Sequence, residues 1–335
     1  MRHSGAAVNE FDIIRRYFSD CGAHRGDVVV GIGDDGAVLR LPPRHELVVV
    51  MDTMVAGVHF PPGTAAEDVG YKALAVNLSD IAAMAAAPAW ATLALTVPEP
   101  DPSWLEGFAA GLSAAARPSG VQLVGGDTTR GPLTVTVQVQ GWIPEGRTVR
   151  RSGAGPGDLI CVTGRVGDAG RALRAWQQGE TLPAPHGDYL AKRLNRPTPR
   201  CSEGIALRGL ASSMIDVSDG LAADLGHVLA ASGVGASLAL PQLPLSDAFR
   251  ATTAGWPEDD VLRLALGGGD DYELCFTVPA ARREELMRCF AHLACGVRVI
   301  GAIEAEPGLR CRKADGSLLP LAVSGYRHFS GGEGT

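Results

Sequence analysis

Apolar residues recur along this chain with two different spacings, which indicates a mixed α/β protein. Over residues 8–19, Val8, Phe11, Ile14 and Phe18 share one side of a helix. Residues 133–139 instead alternate between apolar and polar side chains, as a half-buried strand does. The same patterns in the first half predict helices at 67–86 and 102–117, and strands at 28–32, 47–51, 90–97 and 121–124.

The second half follows a glycine-rich segment, Gly153–Asp158, which has the composition of a boundary. The chain has 335 residues, more than one core usually holds, so we predict two domains, residues 1–150 and 151–335. Beyond the boundary the patterns predict strands at 159–162, 214–217 and 272–278, and helices after Gly220 and near 167–178, 186–194, 201–210 and 258–266.

The uncharged run from Ile81 to Val97 superficially resembles a membrane span. It is shorter than the ~20 residues that a spanning helix needs, and it contains Pro88. We therefore expect the end of a helix, a turn at Pro88 and a buried strand from Trp90, with no association with a membrane.

The composition is that of an ordinary globular protein, with 46% hydrophobic and 20% charged residues. The formal net charge of −7 argues against nucleic-acid binding, which requires a basic surface. None of the seven cysteines forms a CxxC pair, so a zinc site is not expected. Reduced thiols in a cytoplasmic protein are the simplest interpretation.

Aspartates stand out as the candidate chemistry, because most of them follow predicted strands. Clustered carboxylates repel one another unless a cation lies between them, and Mg²⁺ prefers oxygen ligands. Each Asp-Gly pair could also be ordinary turn chemistry, either in a hairpin or at the start of a helix. The acidic residues at predicted strand ends are Asp34, Asp35, Asp52, Asp127, Asp216, Asp219, Asp270 and Asp271, and Asp80 lies in a predicted helix.

The common phosphate-binding motifs are absent from the sequence. There is no GxxxxGK[ST] loop and no protein-kinase signature set. Gly31-Ile32-Gly33 lacks the third glycine of a dinucleotide fingerprint, and Asp34 and Asp35 would repel a pyrophosphate. A bound cation would turn that repulsion into attraction.

Seven motifs, in order along nearly the whole chain, resemble those of the thiamine-monophosphate kinase family, which belongs to the superfamily of aminoimidazole ribonucleotide synthetase. The resemblance covers about residues 8–329. The motifs are Gly31–Asp35, Asp52–Phe60, Gly70–Asp80, Gly125–Thr129, Ile215–Gly220, Gly268–Leu274 and Gly325–Phe329.

The resemblance implies a two-domain α/β fold whose N-terminal sheets pair into a barrel across a homodimer. It implies that the N-terminal domain binds ATP and metal, and that ATP and thiamine monophosphate react to give ADP and thiamine diphosphate with several Mg²⁺ ions. The implied metal ligands are Asp35, Asp52, Asp80, Asp127, Asp216 and Asp219. The implied nucleotide contacts are Gly126, Asp127, Arg151 and Ser218, and the implied substrate contacts are His59, Asp270 and Tyr326.

Two positions depart from the family pattern. Ser or Thr commonly precedes the Asp52 position, and here those places hold Val50 and Met51. Valine offers no side-chain oxygen, so one metal site is expected to be weaker or more hydrated. The family often has Glu where this chain has Asp270, which keeps the carboxylate but shortens its reach.

The chemistry of the implied acceptor explains why aspartates dominate. A phosphate monoester has a second pKa near ~6, so at neutral pH it is already a nucleophile and needs no general base. The difficulty is to bring two anions together, which positioning and charge neutralisation accomplish. The alternatives are another ATP-using enzyme of the superfamily, such as aminoimidazole ribonucleotide synthetase, and a non-enzymatic cation-binding module.

Overall fold

The computed structural model describes residues 10–320, which form two compact units. Among these residues, one unit comprises the chain up to Ile81 together with Ala86–Gly146. The other comprises Ala82–Ala85 and the chain from Arg147 onward. Which unit binds ATP and metal, and which contacts a second subunit, stay predictions.

The first unit contains a mixed sheet covered by helices. Its sheet has four strands in the order β3-β6-β4-β5, in which only β4 and β5 are parallel, and β1 and β2 form a separate hairpin. The helices are α1 (Glu10–Ile13), continued by a π-helix (Ile14–Phe18), α2 (Ala66–Ala83) and α3 (Pro102–Ala116). The strands are β1 (Val28–Val30), β2 (Val38–Leu39), β3 (His45–Val55), β4 (Ala87–Val97), β5 (Gln122–Arg130) and β6 (Thr134–Pro144).

Two of the aspartates lie inside strands, and not at strand ends as the sequence predicts. Asp52 is within β3, which continues to Val55 because it pairs with β6 along its whole length. Asp127 is within β5, which runs past two glycines because β4 lies directly beside it. Pairing with a neighbouring strand, which the local sequence does not reveal, decides where these strands end.

The turn expected at Pro88 is wrong. β4 begins at Ala87, and Pro88 lies within the strand. The register between β4 and β6 shifts between Pro88 and Trp90. Such an irregularity accommodates a proline, which has no N–H group to donate to the ladder.

The second unit is a six-stranded sheet with helices, in the order β12-β9-β11-β7-β10-β8, and only β12 and β9 are parallel. Its helices are α4 (Asp168–Gln177), α5 (His186–Asn195), α6 (Cys201–Ala206), α7 (Leu221–Ser232), α8 (Asp247–Thr252), α9 (Glu258–Gly267) and α10 (Arg283–Phe290). Its strands are β7 (Leu159–Thr163), β8 (Ser213–Asp216), β9 (Gly235–Ala239), β10 (Leu274–Val278), β11 (Val297–Glu304) and β12 (Gly308–Arg312).

The core of this unit lies between α7, α9 and the sheet, where Leu225, Leu266 and Ile300 are fully buried. The sequence patterns predict most of its elements, but not β9, α8, α10, β11 or β12. No helix within residues 10–320 has the length and apolar character needed to cross a membrane.

Candidate functional site

One cavity of the first unit brings together two of the predicted ligand segments. The hairpin loop between β1 and β2 carries Asp34 and Asp35, and both are exposed. This loop and residues 123–128 of β5 line a cavity of about 440 Å³, together with the helix at 10–18. Asp35, Gly126 and Asp127 therefore border the same space. The Asp35 N–H group donates to Oδ1 of Asp34 (2.9 Å), which orders the tip of the loop.

Gly126 is required by the close approach of β4. Its φ is +147°, and a Cβ atom added there would lie 1.8 Å from the carbonyl oxygen of Leu93. Any side chain would push β5 away from β4. Asp127 directly follows Gly126 and is exposed. Its carboxylate therefore lies beside a main-chain position that tolerates no side chain.

Asp52 lies farther away in the same sheet. It pairs with Val137 on β6, which pairs with Leu93 on β4, which in turn pairs with Gly126. Three strand spacings separate β3 from β5, which corresponds to roughly 14 Å. Val50 lies on the same side of β3 as Asp52 and the buried Met54, so the side chain two residues before Asp52 offers no oxygen to a cation. Within this unit the structure does not bring Asp52 next to Asp127.

His59 lies in the turn that follows β3. The Nδ1 atom of its ring accepts a 3.0 Å hydrogen bond from the main-chain N–H group of Val55. The main-chain N–H group of His59 donates to the carbonyl oxygen of Val55. Because Nδ1 is an acceptor here, the neutral ring carries its proton on Nε2. The ring can therefore donate a hydrogen bond to an anion from Nε2.

Asp80 lies near the end of α2 and is half-buried. Asn77 precedes it by three residues, so the two side chains are neighbours on the helix surface. Asn77 is fully buried, and its Nδ2 donates to the carbonyl oxygen of Ala73. Its Oδ1 has no hydrogen-bond partner within residues 10–320. A buried oxygen that could ligate a cation therefore lies one helical turn from the Asp80 carboxylate.

In the second unit, the predicted metal ligand Asp216 ends β8, and the loop that follows carries the predicted nucleotide contact Ser218 and the predicted metal ligand Asp219. Asp216 is buried, and Ser218 and Asp219 are half-buried. The loop can turn into the helix because Gly220 has a φ of +111°, and a Cβ atom there would lie 2.8 Å from the Cα of Gly267. Glycine is thus needed both for the turn and for its packing.

A second loop lies directly against this one. The N–H groups of Asp270 and Tyr272 donate to the carbonyl oxygens of Ser218 and Val217 respectively, both at 2.8 Å. Asp270 has a φ of +59°, and its Oδ1 accepts a 3.0 Å hydrogen bond from the Tyr272 hydroxyl. The structure therefore brings the predicted substrate contact Asp270 next to the predicted nucleotide contact Ser218.

Arg151 lies elsewhere in the second unit. Its carbonyl oxygen accepts a 3.4 Å hydrogen bond from the hydroxyl of Ser232, the last residue of α7, and its side chain is exposed. Ser218 precedes the other end of this helix, which has 12 residues and is therefore ~18 Å long. Main-chain contacts do not bring Arg151 and Ser218 together. Tyr326 lies outside the described residues.

A buried ionic network supports the Asp270 loop from beneath. Glu273 is fully buried and accepts hydrogen bonds from both Arg200 (2.6 Å from Nε and from Nη2) and Arg193 (2.9 Å). Arg193 also donates to the carbonyl oxygen of Asp271 (3.1 Å). Burial raises the pKa of Asp271 well above its ordinary value, and its Oδ2 accepts a hydrogen bond from the N–H group of Gly167 (2.7 Å).

Family models match both halves of the chain. The description "AIR synthase related protein, N-terminal domain" matches residues 33–143, and the corresponding C-terminal domain matches residues 155–313. Thiamine-monophosphate kinase of Escherichia coli is 48% identical over 325 residues, which is 97% of this chain and 99% of the relative. This chain belongs to the thiamine-monophosphate kinase family.

Solved structures agree with membership of the thiamine-monophosphate kinase family. The enzyme of Stenotrophomonas maltophilia superposes with a TM-score of 0.82 at 46% identity, covering 88% of this chain and 92% of that one. AaThiL complexed with AMPPCP and TMP superposes with a TM-score of 0.76 at 31% identity, covering 89% and 92%. The fold class is thereby confirmed as the mixed α/β, two-domain fold of this family.

The donor atoms in this thiamine-monophosphate kinase family member are suited to Mg²⁺. Within residues 10–320, no group of three or more His, Cys, Asp or Glu side chains could hold a metal ion by itself. Burial, and then the nearby carboxylates of Asp216 and Asp219, raise the pKa of Asp224 to about 7. A cation would relieve this repulsion. Mg²⁺ commonly uses only one or two carboxylates, with water and substrate phosphates as its other ligands.

The sequence patterns did not reveal Asp224, Glu273, Arg193 or Arg200 as supports of the site. Asp224 and Glu273 each lie within five residues of a predicted ligand, Asp219 and Asp270 respectively. This closeness in sequence is the one feature that could have identified them as supports of the site. Arg193 and Arg200 lie far from those motifs in sequence, and only the fold brings them to Glu273.

Proposed function

We propose that this chain transfers the terminal phosphoryl group of ATP to thiamine monophosphate, giving ADP and thiamine diphosphate. The observation that carries the proposal is the 48% identity to a thiamine-monophosphate kinase over nearly the full length of both chains. The related AaThiL has been observed with AMPPCP, an ATP analogue, and TMP together. The proposal places the enzyme in the cytoplasm, where ATP is available.

The proposed nucleotide contacts are Gly126, Asp127, Arg151 and Ser218. In the first unit, Gly126 and Asp127 line a cavity with Asp35. In the second unit, the main chain of Ser218 is fixed by its neighbours, and the Arg151 side chain is exposed and charged. Glycine at position 126 lets a phosphate approach the main chain, and arginine at position 151 can donate several hydrogen bonds to phosphate oxygens.

Several Mg²⁺ ions are proposed, held by carboxylates within each unit, and in the first unit the buried Asn77 oxygen lies one helical turn from Asp80. When bound, Mg²⁺ neutralises phosphate charge and so permits the approach of two anions. Through the bound Mg²⁺, the carboxylates would orient the ATP phosphates. Several carboxylates together favour a divalent cation over a monovalent one. The proposed ligands are Asp35, Asp52, Asp80, Asp127, Asp216 and Asp219.

The proposed contacts of thiamine monophosphate are His59, Asp270 and Tyr326. The Nε2–H group of His59 can donate to a phosphate oxygen, because Nδ1 is already occupied by the N–H group of Val55. Asp270 is held half-buried and accepts from Tyr272, and its carboxylate is suited to the cationic part of thiamine. Tyr326, the third proposed substrate contact, has a ring able to stack on thiamine.

A homodimer is proposed through β3, which is the edge strand of the first unit's sheet. Leu47, Val49 and Met51 point to one side of this strand, and each is at least half exposed, at 52%, 50% and 62%. An exposed apolar row on a sheet edge is the kind of surface that a second subunit covers.

The proposal is tested by incubating the purified chain with ATP, MgCl₂ and thiamine monophosphate and measuring ADP and thiamine diphosphate. Equal amounts of the two products are expected, with none when thiamine replaces its monophosphate, because the nucleophile is then absent. ADP formation that does not depend on thiamine monophosphate would contradict the proposed acceptor. Aminoimidazole ribonucleotide formation from its amidine precursor would support the superfamily alternative.

A further inference from the structure

Asp224 is a buried acid that none of the predicted ligand sets contains. It lies in the first turn of α7, is 2% exposed, and follows the loop that carries Ser218 and Asp219. Its Oδ2 accepts hydrogen bonds from the N–H groups of both Ser218 and Asp219, each at 3.0 Å. A helical side chain thus reaches back to hold the two residues that precede its helix.

The Ser218 peptide is held from its other side as well. Its carbonyl oxygen accepts the hydrogen bond from the Asp270 N–H group (2.8 Å), while its N–H group donates to Asp224. The loop is short, and Gly220 at its end has little conformational preference of its own. Without Asp224, two partly buried N–H groups would lose their acceptor, and the loop would lose the contact that holds Ser218 and Asp219 from the side of α7.

We infer that Asp224 is a positioning residue, which fixes the Ser218–Asp219 main chain so that the Ser218 hydroxyl and the Asp219 carboxylate face bound Mg-ATP. This inference rests on the proposed nucleotide site. It assigns Asp224 the role of a hydrogen-bond acceptor for the main chain, and no direct contact with nucleotide or metal. The acceptor atom matters in this role, and the negative charge does not.

The test compares Asp224→Asn with Asp224→Ala, using calorimetric titration with Mg-AMPPCP and thermal melting of each variant. Asparagine retains a carbonyl oxygen at the position of Oδ2 and is expected to bind Mg-AMPPCP within about threefold of the wild type, since both hydrogen bonds persist. Alanine retains no acceptor, so its affinity is expected to fall by about tenfold or more. In turnover assays the alanine variant should raise the KM for ATP more than it lowers kcat.

Asp247 supplies the matched control, because it is an exposed acid in the first turn of α8 in the same unit. Asp247→Asn and Asp247→Ala are expected to bind Mg-AMPPCP like the wild type. If Asp224→Ala melts lower but binds normally, the residue is merely structural and the inference is wrong. If Asp224→Asn and Asp224→Ala lose affinity equally while the asparagine variant remains folded, the charge contacts metal and the inference is also wrong.

Should the alanine variant fail to fold, the asparagine variant still separates an acceptor role from a role of the charge, because a folded asparagine variant that loses affinity would overturn the inference. Transfer to thiamine monophosphate is measured separately on the wild type. A wild type that binds Mg-AMPPCP but transfers nothing to thiamine monophosphate would contradict the proposed function. The role of Asp224 in nucleotide binding would still be tested by the titrations of its variants.

Discussion

The N–H group of Asp270 donates a 2.8 Å hydrogen bond to the carbonyl oxygen of Ser218. This single contact joins a residue proposed to bind thiamine monophosphate to one proposed to bind ATP. The two loops are therefore joined directly through their main chains. Donor and acceptor phosphates that bind at these loops would be held at a fixed separation, which is what in-line transfer requires.

Removal of divalent cations is expected to abolish transfer. The proposed ligands are carboxylates, and without a cation they would repel both ATP and the acceptor phosphate. Activity should disappear in excess EDTA, return when MgCl₂ is added in excess of the chelator, and remain absent when NaCl or KCl is added instead. Full turnover in excess EDTA would show that the aspartates serve another purpose.

Asp80→Asn is expected to leave the metal-free protein about as stable as the wild type, because the substitution keeps the size and polarity of a half-buried side chain. The rise in melting temperature caused by Mg-ATP should shrink, since a ligand stabilises only through its affinity for the folded state. Turnover should fall by about two orders of magnitude or more. Glu106→Gln, at an exposed acid on α3, is the control. A mutant with a lower melting temperature but a full ligand-induced shift would identify Asp80 as structural.

Transfer is expected to be direct, without a phosphorylated enzyme. The acceptor phosphate is ionised at neutral pH, so it needs no covalent intermediate on the enzyme to become a nucleophile. ATP made chiral at the γ-phosphorus should therefore give thiamine diphosphate with inverted configuration. Retention would indicate two successive displacements and a covalent intermediate.

Glu273→Gln and Asp271→Asn are expected to differ sharply in stability, although both change a buried acid on the same loop. The glutamine variant leaves Arg193 and Arg200 without their shared carboxylate, and breaking a buried ion pair costs about 3–5 kcal/mol. Asparagine, like the protonated form of Asp271, is uncharged and keeps an oxygen that can accept from the Gly167 N–H group, so it should lower the free energy of unfolding by much less. Chemical denaturation of the two variants measures this difference.

The pH dependence of Asp271 gives a second check on the same pair. Its pKa is raised in the folded protein, so the folded state retains a proton that the unfolded state releases near the ordinary value of 3.8. Such a group makes the free energy of unfolding fall as pH rises from about 4 towards the folded pKa. Asp271→Asn should remove this contribution. An unchanged pH profile would show that Asp271 is ionised in the fold.

Val49→Lys is expected to weaken or abolish the dimer, because it places a charge in the exposed apolar row of β3. Sedimentation velocity should show a shift from dimer to monomer at micromolar concentration. Met287→Lys is the control, since Met287 is 39% exposed on α10 in the other unit. If both variants sediment as the wild type does, β3 is not the dimer interface.

The order and type of most elements follow from the periodicity of apolar residues, because that periodicity records which face of each helix or strand is buried. The alternation over 133–139 appears in the structure as alternate burial along β6. The sequence motifs were also sufficient to predict the family, which the comparisons confirm. Local patterns did not predict the end of β3 after Asp52 or of β5 after Asp127, since hydrogen bonds to β6 and β4 extend those strands.

The fold class, the family and the set of acidic residues available for chemistry follow from composition, periodicity and motifs, which are properties of the chain alone. Which of these residues meet depends on the tertiary structure. It placed Asp270 against Ser218, Asp35 and Asp127 on the lining of one cavity, and Arg151 at the far end of α7. It also placed Asp224 under the Ser218–Asp219 loop. The reason is that such contacts depend on strand pairing and helix packing between distant segments, which determine distances in space that sequence spacing does not contain.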